Sequence, residues 1–186
     1  MEKAMNIKKI LLSLVTSICI ANVCNAYDSN STIYEYEPKL YETTSNGNIA
    51  EISSLLKNGV DINTPNNDVD YESALHGAVD HKQIKTVAFL LANGADPRFK
   101  DINGDKPIHL AAYSGEPKII KLLLENGADM NAENDSFQKA THSAADNKQT
   151  KIVELFLKKG INPNAKDYEN KTVLHYAVGK GDIDTI

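Results

Sequence analysis

The sequence predicts an all-α fold: a solenoid of stacked helix–turn–helix units with connecting loops or short hairpins. Three observations point there. His76, His109, His142 and His175 stand 33 residues apart, and Gly94, Gly127 and Gly160 repeat with the same step, with Gly59 displaced by two extra loop residues. An apolar stripe, Ile119/Ile120/Leu123/Leu124, falls on one face of a helix and returns as Ile52/Leu55/Leu56, Val87/Leu90/Leu91 and Val153/Phe156/Leu157. Helices of about ten residues cannot bury such stripes alone, so each unit must stack on its neighbours.

The clearest unit is Lys106–Asp129. Its first helix carries Ala111 and Ala112 for close packing and ends at Gly115, which accepts a left-handed turn without steric cost. Its second helix bears the stripe and ends at Gly127. The run Pro107-Ile108-His109-Leu110-Ala111-Ala112, the triplet Gly127-Ala128-Asp129 and the 33-residue period resemble the ankyrin repeat, over residues 38–186.

Residues 1–26 read as a bacterial-type export signal. Lys8 and Lys9 precede an uncharged run from Ile10 to Ala21, and Cys24-Asn25-Ala26 offers a cleavage site. The run is broken by Ser13, Thr16 and Ser17, and a membrane span needs about 20 apolar residues, so no stable span is expected once the signal is cleaved. Cys19 and Cys24 would leave with it, so the mature chain would carry no disulfide. The expected location is periplasmic or secreted. Residues 27–37 form a polar lead-in, with Tyr34 and Tyr36 placed to fold back on the first unit.

The array is expected to hold four units and a truncated fifth. In the first, Tyr41 replaces the histidine and Thr43 and Thr44 replace the alanine pair, which suits a terminal unit whose outer face meets water. In the second, Ser73 is placed to cap a helix. The first helices of the second and fourth units close on Lys82 and Lys148 in place of glycine, so those turns should be less well formed. Phe137 stands where the third unit has Gly104, an awkward residue if the turn needs positive φ. The fifth unit has Thr172 as cap and stops at Ile186, so Leu174, Ala177 and Val178 should lack cover and the chain should fray from Gly179. Either the chain is truncated there, or a partner or a second copy covers that face.

Chemistry motifs are absent from the sequence: no P-loop, dinucleotide fingerprint, HExxH or paired-cysteine motif occurs. Neither catalytic residues, cofactor nor metal is therefore expected. The resemblance implies that the repeated histidine is structural, bonding the backbone of adjacent loops. Copies one repeat apart lie about 10 Å from each other, too far to share a metal. Net charge is −5; residues 1–26 carry +2, so the remainder carries −7, which argues against nucleic acid.

What remains is a surface. The resemblance implies that loop tips and first-helix ends form a concave face that binds another protein. The matching positions are Val69, Asp70, Glu72, Asp80 and His81, then Ile102, Asn103, Asp105, Tyr113 and Ser114. They continue with Asp135, Ser136, Gln138, Asp146 and Asn147, then Tyr168, Glu169, Lys171, Gly179 and Lys180. Seven are acidic and two are lysine, so the expected partner is a protein with a basic patch, anchored on Ile102, Tyr113 and Tyr168. Two alternatives stand beside this reading. One is a bacterial effector acting on a host protein. The other is an enzyme or its regulatory subunit, for which Asp80-His81 would be the pair to test.

Overall fold

The computed structural model describes residues 39–66 and 70–185. The expected export segment, the lead-in, Pro38, Val69 and Ile186 lie outside the described residues.

Nine helices occur among the described residues. They are α1 (residues 39–45), α2 (Ile49–Lys57), α3 (Ala74–Asp80), α4 (Ile84–Ala92) and α5 (Pro107–Ser114). Then come α6 (Pro117–Glu125), α7 (Ala140–Asp146), α8 (Thr150–Lys158) and α9 (Val173–Lys180). One short hairpin joins β1 (Pro65–Asn66) to β2 (Glu72–Ser73), antiparallel, with Pro65 opposite Ser73.

The sequence pattern explains the stack. The first helices α3, α5, α7 and α9 pack side by side, and each of the first three also packs on its own second helix. Small residues at their contacts, Ala78, Ala111, Ala112, Ala144, Ala145 and Ala177, are buried and let the backbones approach. The second helices bring in the larger side chains: Ile52, Val87, Leu90, Ile119, Ile120, Leu123, Ile152 and Phe156 are buried. Each such side chain contributes about 1.5–3 kcal/mol, so the stripe read from the sequence supplies most of the core, although Leu56 and Leu124 are only half-buried and Leu157 is exposed.

Several local expectations are corrected. Thr43 and Thr44 do not face water; both are buried, because their hydroxyls donate back to Lys39 O and Tyr41 O at 2.6 and 2.7 Å and so need no solvent. The turns at Lys82 and Lys148 are as complete as the one at Gly115. Both lysines adopt φ near +55, and the next residue's N–H still reaches its carbonyl, Gln83 to Ala78 and Gln149 to Ala144, at 2.9 and 2.8 Å. The cost is backbone strain, not a lost bond.

Ser73 and Thr172 stand at the N-caps as expected, each in a capping box with the histidine three residues on. His76 Nδ1 accepts from Ser73 N–H and His175 Nδ1 from Thr172 N–H, each at 3.2 Å. At the end of the described chain, the helix runs through Gly179 and Lys180, and Gly181 ends it. Asp182 N–H then donates to Ala177 O at 2.9 Å, while the Asp182 carboxylate accepts from Thr150 and Thr185 hydroxyls. The expected fraying from Gly179 is opposed by these bonds. Leu174 and Val178 are exposed as expected, but Ala177 is buried against the fourth unit.

Candidate functional site

The repeated histidine fixes the loops that carry the candidate surface. In the second, third and fourth units Nδ1 accepts a backbone N–H, from Ser73, Lys106 and Lys139 respectively, at 3.0–3.2 Å. A nitrogen that accepts cannot hold a proton, so the proton sits on Nε2. That Nε2–H donates to the following loop: His76 to Asp105 O, His109 to Ala132 O and Gln138 O, His142 to Ala165 O, all at 3.1–3.2 Å. Burial, and not these bonds, sets the titration, since the bonds to carbonyl oxygens pull the other way. Burial pushes His76 down to about 4 and holds His109 and His142 below the usual imidazole range. His175 is exposed and keeps only the capping half of the pattern.

Each loop rises as a finger, and one side chain closes it. Asp101 Oδ1 accepts from Asn103 and Asp105 N–H, both at 2.8 Å. Asn134 Oδ1 accepts from Ser136 and Gln138, and Asp167 Oδ1 from Glu169 and Lys171, at 2.8–3.0 Å. Burial would raise the Asp167 carboxyl, but the bonds from Tyr176, Lys171 and Glu169 outweigh it and hold it below the usual carboxylate range.

The finger tips are then tied to one another. Ile102 N–H donates to Asp70 O, Asp135 N–H to Asn103 O and Tyr168 N–H to Ser136 O, at 2.8–3.2 Å. Four fingers thus form one ridge. Gly104 is required on it, because a Cβ there would meet the Asp135 backbone nitrogen at 2.7 Å. The ridge carries one large exposed apolar side chain per finger: Tyr71, Ile102, Phe137 and Tyr168, each at least half exposed. Phe137 does sit at positive φ, +57°, with its ring 57% exposed.

Below the ridge, α5, α7 and α9 line a groove of about 390 Å³. Asp105, Leu110, Tyr113, Gln138, Asp146 and Tyr176 face it. Tyr176 is fixed there, its hydroxyl donating to Asp167 Oδ2 and accepting from Gln138 Nε2 at 2.6 Å. Tyr113 keeps half its surface free. Burial raises the Asp105 carboxyl, a rise opposed by the bond from Asn134 Nδ2 at 2.8 Å.

The sequence-derived positions therefore divide. Asp105, Tyr113, Gln138 and Asp146 meet in the groove, while Asp70, Ile102, Asn103, Asp135, Ser136, Tyr168, Glu169 and Lys171 build the ridge. Glu72 accepts from Tyr41 Oη at 2.5 Å, Ser114 Oγ donates to Ala111 O, and Asn147 Nδ2 donates to Tyr113 O, so these three work within the scaffold. Asp80 and His81 lie 3.9 Å apart at the exposed end of α3, with His81 Nδ1 3.0 Å from Gly77 O. Gly179 and Lys180 close α9. The excess of acid is softened locally: Asp135 pairs with Lys100 at 3.4 Å, Asp146 with Lys180 at 3.0 Å, and Glu169 with Lys171. Sequence reading missed Tyr71 and Tyr176 and saw in Phe137 only an awkward turn residue, not an anchor. Tyr71 and Phe137 share the repeat position of Gly104 and Asn170 at steps of 33 residues, a signal that marks both as finger tips.

Among the described residues no helix is long and apolar enough to cross a membrane, and no group of three or more His, Cys, Asp or Glu is placed to hold a metal ion. The family model described as ankyrin repeats (3 copies) matches residues 40–134 and 108–186. Ankyrin repeat domain-containing protein 40 of Homo sapiens is 32% identical over 74 residues, which is 40% of this chain and 20% of that protein. The protein of the same name from Mus musculus matches with the same identity and coverage. The match thus spans about a fifth of the length of these curated relatives.

Proposed function

Because the chain belongs to the ankyrin-repeat family, we propose that it is a protein-binding module that seats another protein on its finger ridge and inner groove and catalyses no reaction. Ankyrin repeats are in general protein–protein interaction modules, and one observation carries the reading to these residues. Tyr71, Ile102, Phe137 and Tyr168 stand exposed on fingers that are locked together by backbone hydrogen bonds. Exposed aromatic anchors on a rigid support lose little entropy on binding. Phe137 adds weight, since a bulky residue at positive φ costs about 1–2 kcal/mol that folding alone does not reward. Carboxylates beside the anchors, Asp70 and Asp105 above all, favour a partner with a basic patch.

The test is affinity capture from cell lysate with four forms of the full chain: unchanged, Tyr113→Ala, Phe137→Asn and Lys57→Glu. A genuine partner is retained by the unchanged chain and by Lys57→Glu, whose site is the exposed end of α2, away from the ridge and groove. It is lost or washed off at least tenfold faster with the other two, the scale of a central anchor. Retention indifferent to both aromatic substitutions would refute the reading. Export before that function is part of the proposal and is supported by Lys8, Lys9 and the uncharged run after them. Its check is a mature terminus at Tyr27 in mass spectrometry of the natively expressed protein, and an intact Met1 terminus would remove it.

A further inference from the structure

The side of the stack opposite the groove carries a second surface. Helix α4 packs directly against α6, whereas α6 and α8 part and leave a trough of about 490 Å³ between them. Its apolar lining comes from Pro117, Ile120, Leu124 and Leu155, with Leu124 and Leu155 only half-buried. Its rim carries Lys118, Lys121 and Lys159 against a single carboxylate, Glu125. Glu125 lies 3.8 Å from Lys121, and among the described residues Lys118 and Lys159 have no ion pair. A net positive, apolar trough stands out on a body that carries −7 beyond residue 26.

We infer that this trough binds an acidic amphipathic helix of a partner protein, laid between α6 and α8 with its apolar stripe inward and its carboxylates on the lysines. Three arguments select that occupant. The lining is made of side chains on two helices and offers no sheet edge, so an extended peptide would leave its backbone groups unpaired on the trough floor, whereas a helix satisfies its own. Two parted helices present the ridges and grooves into which a third helix packs. The walls are helices of nine residues, about 13 Å long, and the trough is open along its top, so a long acyl chain would remain largely in water. Charge complementarity then sets the sign: three lysines against one glutamate call for carboxylates.

This surface is independent of the ridge and groove, so either reading can fail alone. The experiment is a nitrogen-15 amide-shift titration of the full chain with a synthetic 18-residue peptide. The peptide has leucine at helical positions i, i+3, i+4 and i+7 and glutamate at most others. Saturable shifts confined to α6 and α8 are expected. The double variant Lys121→Glu/Lys159→Glu should weaken them about tenfold, the sum of two lost exposed pairs and the new repulsion. Both lysines are exposed, so the variant keeps the fold; circular dichroism verifies that. Tyr113→Ala should leave the titration unchanged. The inference is overturned by absent or unsaturable shifts, by shifts centred on α5 and α7, or by equal affinity for a lysine-for-glutamate peptide. It is equally overturned if laurate or anionic vesicles shift α6 and α8 while the peptide does not.

Discussion

Thr141 lies wholly buried at the start of α7, and its hydroxyl has no hydrogen-bond partner among the described residues. The same repeat position holds Leu75, Ile108 and Leu174, so the stack there wants an apolar side chain. A buried hydroxyl left unpaired costs about 1–3 kcal/mol in lost hydration. Thr141→Val keeps the shape and removes the polar group, and should raise unfolding stability by about 1 kcal/mol in urea titration with unchanged slope. A less stable variant would mean the hydroxyl has a partner after all. The finger clamps Asp101, Asn134 and Asp167 belong to this scale too. They recur every 33 residues and were legible as a repeat, but the residue type says only that such a side chain favours turns. That one oxygen would accept two backbone N–H groups, at i+2 and i+4, is a matter of geometry that composition does not carry.

At the scale of the element, periodicity carried most of the information. The stripes marked α2, α4, α6 and α8, because a second helix buries one face and the sequence must repeat that face every turn. The first helices were harder. They are only seven or eight residues long and buried on several sides, as Ala74–Val79 of α3 shows, so they have little amphipathic period. They were legible through the histidine and the alanines instead. Where sequence reasoning went wrong, it used a residue's usual preference in place of its neighbours' demands. Lysine avoids positive φ, yet Lys82 and Lys148 adopt it because the following N–H must reach Ala78 O and Ala144 O for the second helix to start in register. Threonine hydroxyls favour water, yet Thr43 and Thr44 satisfy theirs on the preceding turn of α1 and stay inside.

Across the whole molecule, the histidines couple each unit to the next, and their tautomer makes that coupling sensitive to acid. His76, His109 and His142 each need an unprotonated Nδ1 to accept a backbone N–H, and each is buried. Protonation would turn that nitrogen into a donor facing a donor. Burial accordingly holds all three below the ordinary value of about 6.5, His76 at about 4. In the unfolded chain they titrate near 6.5, so between that pH and about 4 the unfolded state binds protons that the folded state refuses. Stability therefore falls as pH drops through this window, by up to about 1.4 kcal/mol per pH unit for each histidine, and is indifferent to them above about 7. Two carboxyls act the other way. Burial raises Glu72 and Asp105, so the folded state takes up their protons more readily, and they offset part of the loss near the bottom of the window. Urea midpoints measured from pH 7.5 to 4.5 should be flat at first and then decline steeply below about 6.5. A variant in which His142→Gln removes one titrating ring should start less stable and decline less. Midpoints that stay level from pH 6.5 to 4.5, or that rise, would mean these rings are free to protonate in the folded stack and do not hold its loops.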